Sequence, residues 1–173
     1  MTKLYVATLD RAPDAQGLDY WVKLGLFLEE IAKSFFDQPE LDIKYPKGTT
    51  NKEFIEAIYN NLFKRVPDDK GWDYWAKELD NGTIPRSLFI LSVINGAFGD
   101  DAKMLNNKAS VGLTYALKNK DNISDAIDII KEVTIDSNSV FTTLCKYKIV
   151  ECGTLRPCRL ISTYLRFGDI LRI

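Results

Sequence analysis

A motif that occurs twice in the first half of the chain indicates how the chain folds. Residues 5–21 read Tyr-Val-Ala-Thr-Leu-Asp-Arg-Ala-Pro-Asp-Ala-Gln-Gly-Leu-Asp-Tyr-Trp, and residues 59–75 read Tyr-Asn-Asn-Leu-Phe-Lys-Arg-Val-Pro-Asp-Asp-Lys-Gly-Trp-Asp-Tyr-Trp. The two stretches align without a gap at a constant offset of 54 residues, and eight of the 17 positions are identical. An internal repeat of this kind indicates two copies of one structural unit.

Each copy predicts a helix, a tight turn and a second helix. In the second copy, apolar residues recur every fourth position over residues 54–62, and Asn51 is a suitable N-cap before them. Pro67 cannot continue this helix, and the residue before a proline avoids the helical region. We therefore expect the first helix to end near Arg65.

The second helix of the unit has its own start signal. Asp68 is placed to accept a hydrogen bond from the backbone N–H of Gly71, a cap that contributes about 1 kcal/mol. Gly71 leaves room for a ring or another backbone to approach closely. Tyr74 and Trp75 follow one turn later, and we expect both rings to face the core.

Two interpretations of the repeated motif are open. In the first, the motif locks the corner between two helices, and its arginine interacts with a helix C-terminus, the capping aspartate or a ring. In the second, Asp19, Trp72 and Asp73 form a ligand surface of aromatic and acidic side chains. The occurrence of the motif in both units favours the packing interpretation, because residues that a unit needs for packing are expected in each of its copies. The residues assigned to it are Arg11, Pro13, Asp14, Gly17, Tyr20, Trp21, Arg65, Pro67, Asp68, Gly71, Tyr74 and Trp75.

The rest of the chain predicts more helices and no strand. Helices are expected over residues 26–36, after Pro85, from Asp100 or Asp101 to about Leu117, and after Ser124. The predicted fold is all-α, a compact multi-helix bundle built from two similar helix-turn-helix units. Residues 1–135 form its helical domain, with repeat units at about 1–45 and 51–98, and residues 136–173 form a tail of doubtful structure.

The C-terminal end differs from the rest in composition. Residues 145–173 carry six Lys and Arg against two Asp and Glu, and they contain Cys145, Cys152 and Cys158, which are all the cysteines. The spacing of these cysteines matches no standard metal site, and an odd number cannot pair completely. One interpretation is a small basic appendage with its own function. The other is a gene that has lost its reading frame or has been cut short.

Composition excludes several classes of function. The chain has 173 residues, a net charge of −1 and no histidine, which excludes His-dependent catalysis and His-containing metal sites. The near-neutral charge argues against a nucleic-acid binder. The apolar stretches are too short for a membrane span, and the first residues do not form a secretory signal.

The motif Arg-x-Pro-Asp-x-x-Gly-x-x-Tyr-Trp, at residues 11–21 and 65–75, resembles the bacterial domain-of-unknown-function family 4214. Segments 31–40 and 84–91 are also typical of it, so the resemblance covers roughly residues 1–135. It implies a helical domain similar to phycobilisome linker domains. It also implies an origin in S-layer, adhesin or repeats-in-toxin surface proteins, which leave the cell without an N-terminal leader. The calcium repeats of such proteins are not found in this sequence.

We therefore expect a non-catalytic structural or interaction module of a bacterial exported surface protein. The alternative is a glycan- or lipopolysaccharide-binding module that anchors to the cell surface. No catalytic residue, metal site or cofactor is predicted, and the expected partners are surface glycans or other protein subunits. The expected location is extracellular or at the cell surface, or cytoplasmic if the product is truncated.

Overall fold

The computed structural model describes residues 1–152, which form ten α-helices and no strand. This confirms the all-α fold. The helices are α1 (Thr2–Leu9), α2 (Ala15–Lys23), α3 (Leu28–Phe35), α4 (Pro39–Lys44), α5 (Asn51–Phe63), α6 (Asp69–Asp80), α7 (Arg86–Gly96), α8 (Gly99–Leu117), α9 (Ile123–Lys131) and α10 (Asn138–Lys146).

The first helix of each unit ends in the same way. Asp10 and Lys64, which are equivalent in the repeat, both adopt the left-handed conformation, with φ of 53° and 57°. Their backbone N–H groups close the last turn by donating to Val6 O and Asn60 O, again an equivalent pair. Such a C-cap redirects the chain and satisfies a free carbonyl group. The helices end at Leu9 and Phe63, two residues earlier than the motif arginines predict.

The two units pack against each other through equivalent helices. α1 contacts α5, and α3 contacts α7. At the centre of this contact the side-chain Nδ2 of Asn61 donates to Ala7 O at 2.8 Å, and these two positions are equivalent in the repeat. Contact between equivalent positions indicates an approximate two-fold relation between the units.

α8 completes the core by packing against α1, α2, α5, α9 and α10. α10 lies within the segment 136–173, for which the sequence predicted no clear structure. Its Leu144 and the following Ile149 are buried in the core. The helical packing therefore continues past residue 135, because apolar side chains after this position still find a buried surface. Residues 153–173, including Cys158, lie outside the described part of the chain.

Several helix starts differ from the sequence predictions. α5 is capped by Thr50 in a capping box with Glu53, and Asn51 is its first residue. α9 is capped by Asn122, which accepts from Asp125 N at 3.1 Å, where Ser124 was expected. The short helix α4 was not predicted. Over residues 1–152, no helix has the length and apolar character needed to cross a membrane.

Candidate functional site

The motif arginine of unit one ties three helices together. Arg11 is almost fully buried, with 3% of its surface exposed. Its Nε and Nη2 donate to Glu40 Oε1 and Oε2 at 2.8 and 2.9 Å, a bidentate pair with the first turn of α4. Its Nη1 donates to Ala12 O at 3.0 Å and to Asp14 Oδ2 at 3.3 Å. Charge-assisted bonds of this geometry are among the stronger hydrogen bonds in proteins. They join the end of α1, the start of α2 and α4.

The equivalent arginine of unit two binds a backbone carbonyl and a carboxylate in the same way, and here the carboxylate belongs to α8. Arg65 Nη1 donates to Val66 O at 2.9 Å, as Arg11 does to Ala12. Its Nε and Nη2 donate to Asp101 Oδ1 and Oδ2 at 3.1 and 2.5 Å, in the first turn of α8. The hydrogen bonds to Asp101 raise the pKa of Arg65. The side chain of Arg65 is exposed, so this pair is more hydrated than the one in unit one.

Each arginine also lies over the first tyrosine of its motif. Arg11 Cζ is 5.0 Å from the ring centroid of Tyr5, and Arg65 Cζ is 5.5 Å from that of Tyr59. Both distances fall within the range of cation–π attraction. Burial raises the pKa of Tyr5 to about 12, with the charge of Asp14 acting in the same direction. Burial also raises the pKa of Tyr59. Both tyrosines are therefore neutral hydrogen-bonding groups at neutral pH.

The capping aspartates form the predicted bonds. Gly17 N donates to Asp14 Oδ1 at 2.6 Å, and Gly71 N donates to Asp68 Oδ1 at 2.8 Å. In unit one the glycine also makes room for a ring, because a Cβ at Gly17 would overlap the hydroxyl of Tyr5. In unit two a Cβ at Gly71 would meet the Tyr59 hydroxyl at only 3.9 Å. The glycine is therefore required to accommodate the tyrosine ring in unit one alone.

The Tyr-Trp pair of each motif is divided between the surface and the core. Trp21 is 5% exposed and packs on Phe35, with ring centroids 4.8 Å apart. Trp75 is half-buried, and its Nε1 donates to Tyr59 Oη at 3.2 Å. Tyr20 and Tyr74 are both 56% exposed. The prediction that both rings face the core is wrong for the tyrosines, since the two positions are adjacent on the helix and only one can point inward.

A pocket lies beside the motif corner in each unit. The pocket of unit one has a volume of about 120 Å³ and is lined by Tyr5, Trp21 and Glu40 among others. The pocket of unit two has a volume of about 210 Å³. Equivalent motif residues line both pockets. The larger pocket is lined by the aromatic side chains of Tyr59, Phe63, Trp75 and Phe98 and by the charged groups of Arg65, Asp68 and Asp101.

The second pocket has the chemical character of a small polar-ligand site. Its rings can stack on an apolar face, and its carboxylates can accept hydrogen bonds from hydroxyl groups. Asp68 already accepts from Gly71, and Asp101 from Arg65, so both carboxylates are oriented by the fold. Phe98 lies at this pocket with 83% of its surface exposed.

The structure does not bring the three predicted ligand residues together with this pocket. Asp19 is exposed and forms an ion pair with Lys23 at 2.7 Å. Trp72 is half-buried, and Lys52 Nζ lies 5.2 Å from its ring centroid. Asp73 is exposed, and none of these three side chains lines either described pocket.

Three groups that complete these corners have no recognisable signal in the sequence. Glu40 and Asp101 are 29 and 36 residues from their arginines, and each lies in the first turn of the helix that follows α3 or α7. Lys108 is a fully buried cation on α8, and its Nζ donates to Asn61 O. Burial lowers the pKa of Lys108 to about 8. Only the position of α8 against α5 shows why this lysine is buried.

Among residues 1–152, no group of Asp, Glu and Cys side chains is placed to hold a metal ion. The described residues form an all-helical repeat domain, whose defining feature is the corner that occurs in both units.

Comparison with known families identifies the repeat more closely. Residues 32–97 match the family described as Domain of unknown function (DUF4214), so this part of the chain resembles that family. The match includes the second motif copy, from Arg65 to Trp75, and leaves the first copy outside. It is shorter than the span of about 1–135 that the sequence suggested. No curated protein and no solved structure matches the chain.

Proposed function

We propose that the chain is a non-catalytic structural module of a bacterial exported surface protein of the S-layer, adhesin or repeats-in-toxin type. The observation that carries the proposal is the use of the same motif residues for packing in both units. Arg11 and Arg65 each bind a carboxylate of a neighbouring helix, and Asp14 and Asp68 each cap a helix. Helices that are held together by side-chain bonds in both units suit a domain that acts as a spacer or as an assembly unit between other parts of a surface protein.

The surface location comes from the family resemblance and is tested by finding the protein in the cell. Antibody raised against the purified chain is applied to intact cells of the bacterium that carries the gene, to its culture medium and to lysed cells. The proposal predicts signal on intact cells or in the medium, with a cytoplasmic marker protein absent from both. Signal that appears only after lysis would contradict the proposed location.

A second candidate function, binding of surface glycans, is favoured by the pocket of unit two. Its aromatic rings and two oriented carboxylates suit a saccharide that offers one apolar face and several hydroxyl groups. Phe98 is suited to testing this, because its exposed ring contributes little to the core.

The test for glycan binding uses purified lipopolysaccharide oligosaccharide and the intrinsic fluorescence of the tryptophans. If the pocket binds saccharide, the parent protein shows saturable quenching and Phe98→Ala weakens it, because the mouth of the pocket loses its ring. Ile43→Ala is the matched control, since Ile43 is 82% exposed and does not line this pocket. Equal responses from all three proteins, or no response, would exclude this pocket as a site for that saccharide.

A further inference from the structure

The C-terminal end of α10 forms a defined turn beside two cysteines. Lys148 adopts the left-handed conformation, with a φ of 54°. Lys148 N donates to Cys145 O at 2.9 Å, and Ile149 N donates to Leu144 O at 2.9 Å. These two bonds form a Schellman motif, which ends a helix and satisfies its last carbonyl groups. The chain therefore leaves α10 at a fixed point, three residues before Cys152.

The core holds this turn on both sides. Leu144, with 5% of its surface exposed, and Ile149, with 7%, belong to the hydrophobic core, and Val150 packs against it. Apolar residues at these two positions of a Schellman motif frequently contact each other. Packing therefore fixes the residue before Cys145 and the residues just before Cys152.

The turn brings the two thiol groups next to each other. Cys145 is half-buried, Cys152 is exposed, and both are free thiols whose side chains interact directly. Cys152 Sγ also donates to Val150 O at 3.5 Å. Burial raises the pKa of the Cys145 thiol to about 11, and the adjacent Cys152 acts in the same direction. A stabilised thiolate would favour the reduced form of a thiol pair, and Cys145 lacks that stabilisation.

We propose that Cys145 and Cys152 form a reversible disulfide bond, which fastens the chain after the turn to α10. The chain has three cysteines, so one remains unpaired, and the turn at Lys148 selects the two that pair. The proposal goes beyond the proposed function and does not depend on where the protein is located. An oxidising environment would close the bond, and a reducing cytoplasm would keep it open.

A small disulfide such as oxidised glutathione supplies the oxidant. The exposed Cys152 loses its proton and its thiolate attacks one glutathione sulfur, so that the glutathione disulfide breaks and one glutathione leaves as a thiol. Cys145 then loses its proton and attacks Cys152 Sγ, which breaks the mixed disulfide and releases the second glutathione. Two protein thiols are oxidised by two electrons, and one glutathione disulfide is reduced to two thiols.

The test uses two full-length variants that each retain two cysteines. Cys158→Ser keeps the proposed pair, and Cys152→Ser is the matched control, because it keeps Cys145 and offers Cys158 as the only other thiol. Each variant is equilibrated in glutathione buffers of increasing disulfide content and then treated with maleimide in denaturant. Mass spectrometry distinguishes the internal disulfide, the glutathione adduct and the maleimide adducts of free thiols. Circular dichroism checks that both variants are folded.

We expect the equilibrium constant for internal disulfide formation to be at least about thirtyfold larger in Cys158→Ser than in Cys152→Ser. About threefold of this comes from the shorter loop, since the two pairs are 7 and 13 positions apart, and the rest comes from the fold. Equal constants in the two variants would overturn the proposal. Glutathione adducts on Cys158→Ser without an internal disulfide would also overturn it.

Repeating the equilibration in concentrated urea separates the effect of the fold from that of the sequence. Unfolding removes the turn at Lys148 and leaves only the difference in loop length. The ratio of the two equilibrium constants should therefore fall to about threefold. A ratio that urea does not change would show that the fold does not bring Cys145 and Cys152 together, and it would overturn the proposal.

Discussion

Gly17→Ala is expected to destabilise the protein, whereas the equivalent Gly71→Ala is not. An added Cβ at position 17 would overlap the Tyr5 hydroxyl and lie 3.0 Å from both carboxylate oxygens of Asp14. Tyr5 cannot move aside easily, because it is 4% exposed and packs edge-on against Phe35 at 5.1 Å. At position 71 the nearest atom would be Asp68 Oδ1 at 3.1 Å.

The expected change in unfolding free energy combines a loss from overpacking and a gain from helix propensity. Overpacking of a filled core lowers the unfolding free energy by about 1–3 kcal/mol. Replacing glycine by alanine in a helix gains up to about 1 kcal/mol, and less in the first turn. We expect Gly17→Ala to lose roughly 1–2 kcal/mol of unfolding free energy, and Gly71→Ala to change it by less than about 0.5 kcal/mol.

The assay is urea unfolding followed by far-ultraviolet circular dichroism, with the parent and both variants at the same pH. We expect a lower urea midpoint for Gly17→Ala with an unchanged slope, and a parent-like midpoint for Gly71→Ala. A Gly17→Ala variant as stable as Gly71→Ala, or more stable, would refute the steric argument.

The remaining predictions concern one buried charge, one aromatic pair and one cap. Burial lowers the pKa of Lys108 from 10.5 to about 8, so unfolding takes up a proton between these values. The unfolding free energy of the parent, measured relative to that of Lys108→Met by urea titration, should therefore rise by roughly 3 kcal/mol from pH 8 to pH 10.5. A difference between the two proteins that does not change with pH would contradict this. In thermal unfolding, Trp21→Ala should lower the unfolding free energy by about 3–5 kcal/mol, and Tyr20→Ala should lower it by less than about 1 kcal/mol. Similar losses in the two variants would contradict the finding that Trp21 is buried and Tyr20 is exposed. Asp68→Ala should lower the unfolding free energy by about 1 kcal/mol, because the cap is lost. Asp68→Asn should lower it by less, because the asparagine side chain can still accept a hydrogen bond from Gly71 N. Equal losses in the two variants would argue against the cap.

The sequence was sufficient to predict the helical class and the repeated corner. These features depend on local signals, since Pro67 ends a helix and Asp68 caps the next one whatever surrounds them. The bond from Gly71 to Asp68 and its counterpart in unit one are formed as the spacing predicts.

The partners of the motif arginines could not be predicted in this way. Glu40 and Asp101 lie 29 and 36 residues after their arginines, so the gapless alignment of the motif does not identify them as partners. The exposure of Tyr20 and Tyr74 also depends on how α2 and α6 are rotated against the core, which the motif alone leaves open. The larger pocket exists because α7, the following turn and α8 meet at the corner of unit two, a tertiary feature without a local signal.

The motif arginines hold neighbouring helices together, and double-mutant cycles measure this coupling. Arg11→Ala and Glu40→Ala are made singly and together, with Arg65→Ala and Asp101→Ala as the matched cycle, and each unfolding free energy is measured in urea. We expect a coupling free energy of about 1–2 kcal/mol for the Arg11–Glu40 pair, whose arginine is buried, and up to about 1 kcal/mol for the more exposed Arg65–Asp101 pair. Additive losses in both cycles would contradict the claim, because the arginines would then stabilise the fold without these partners.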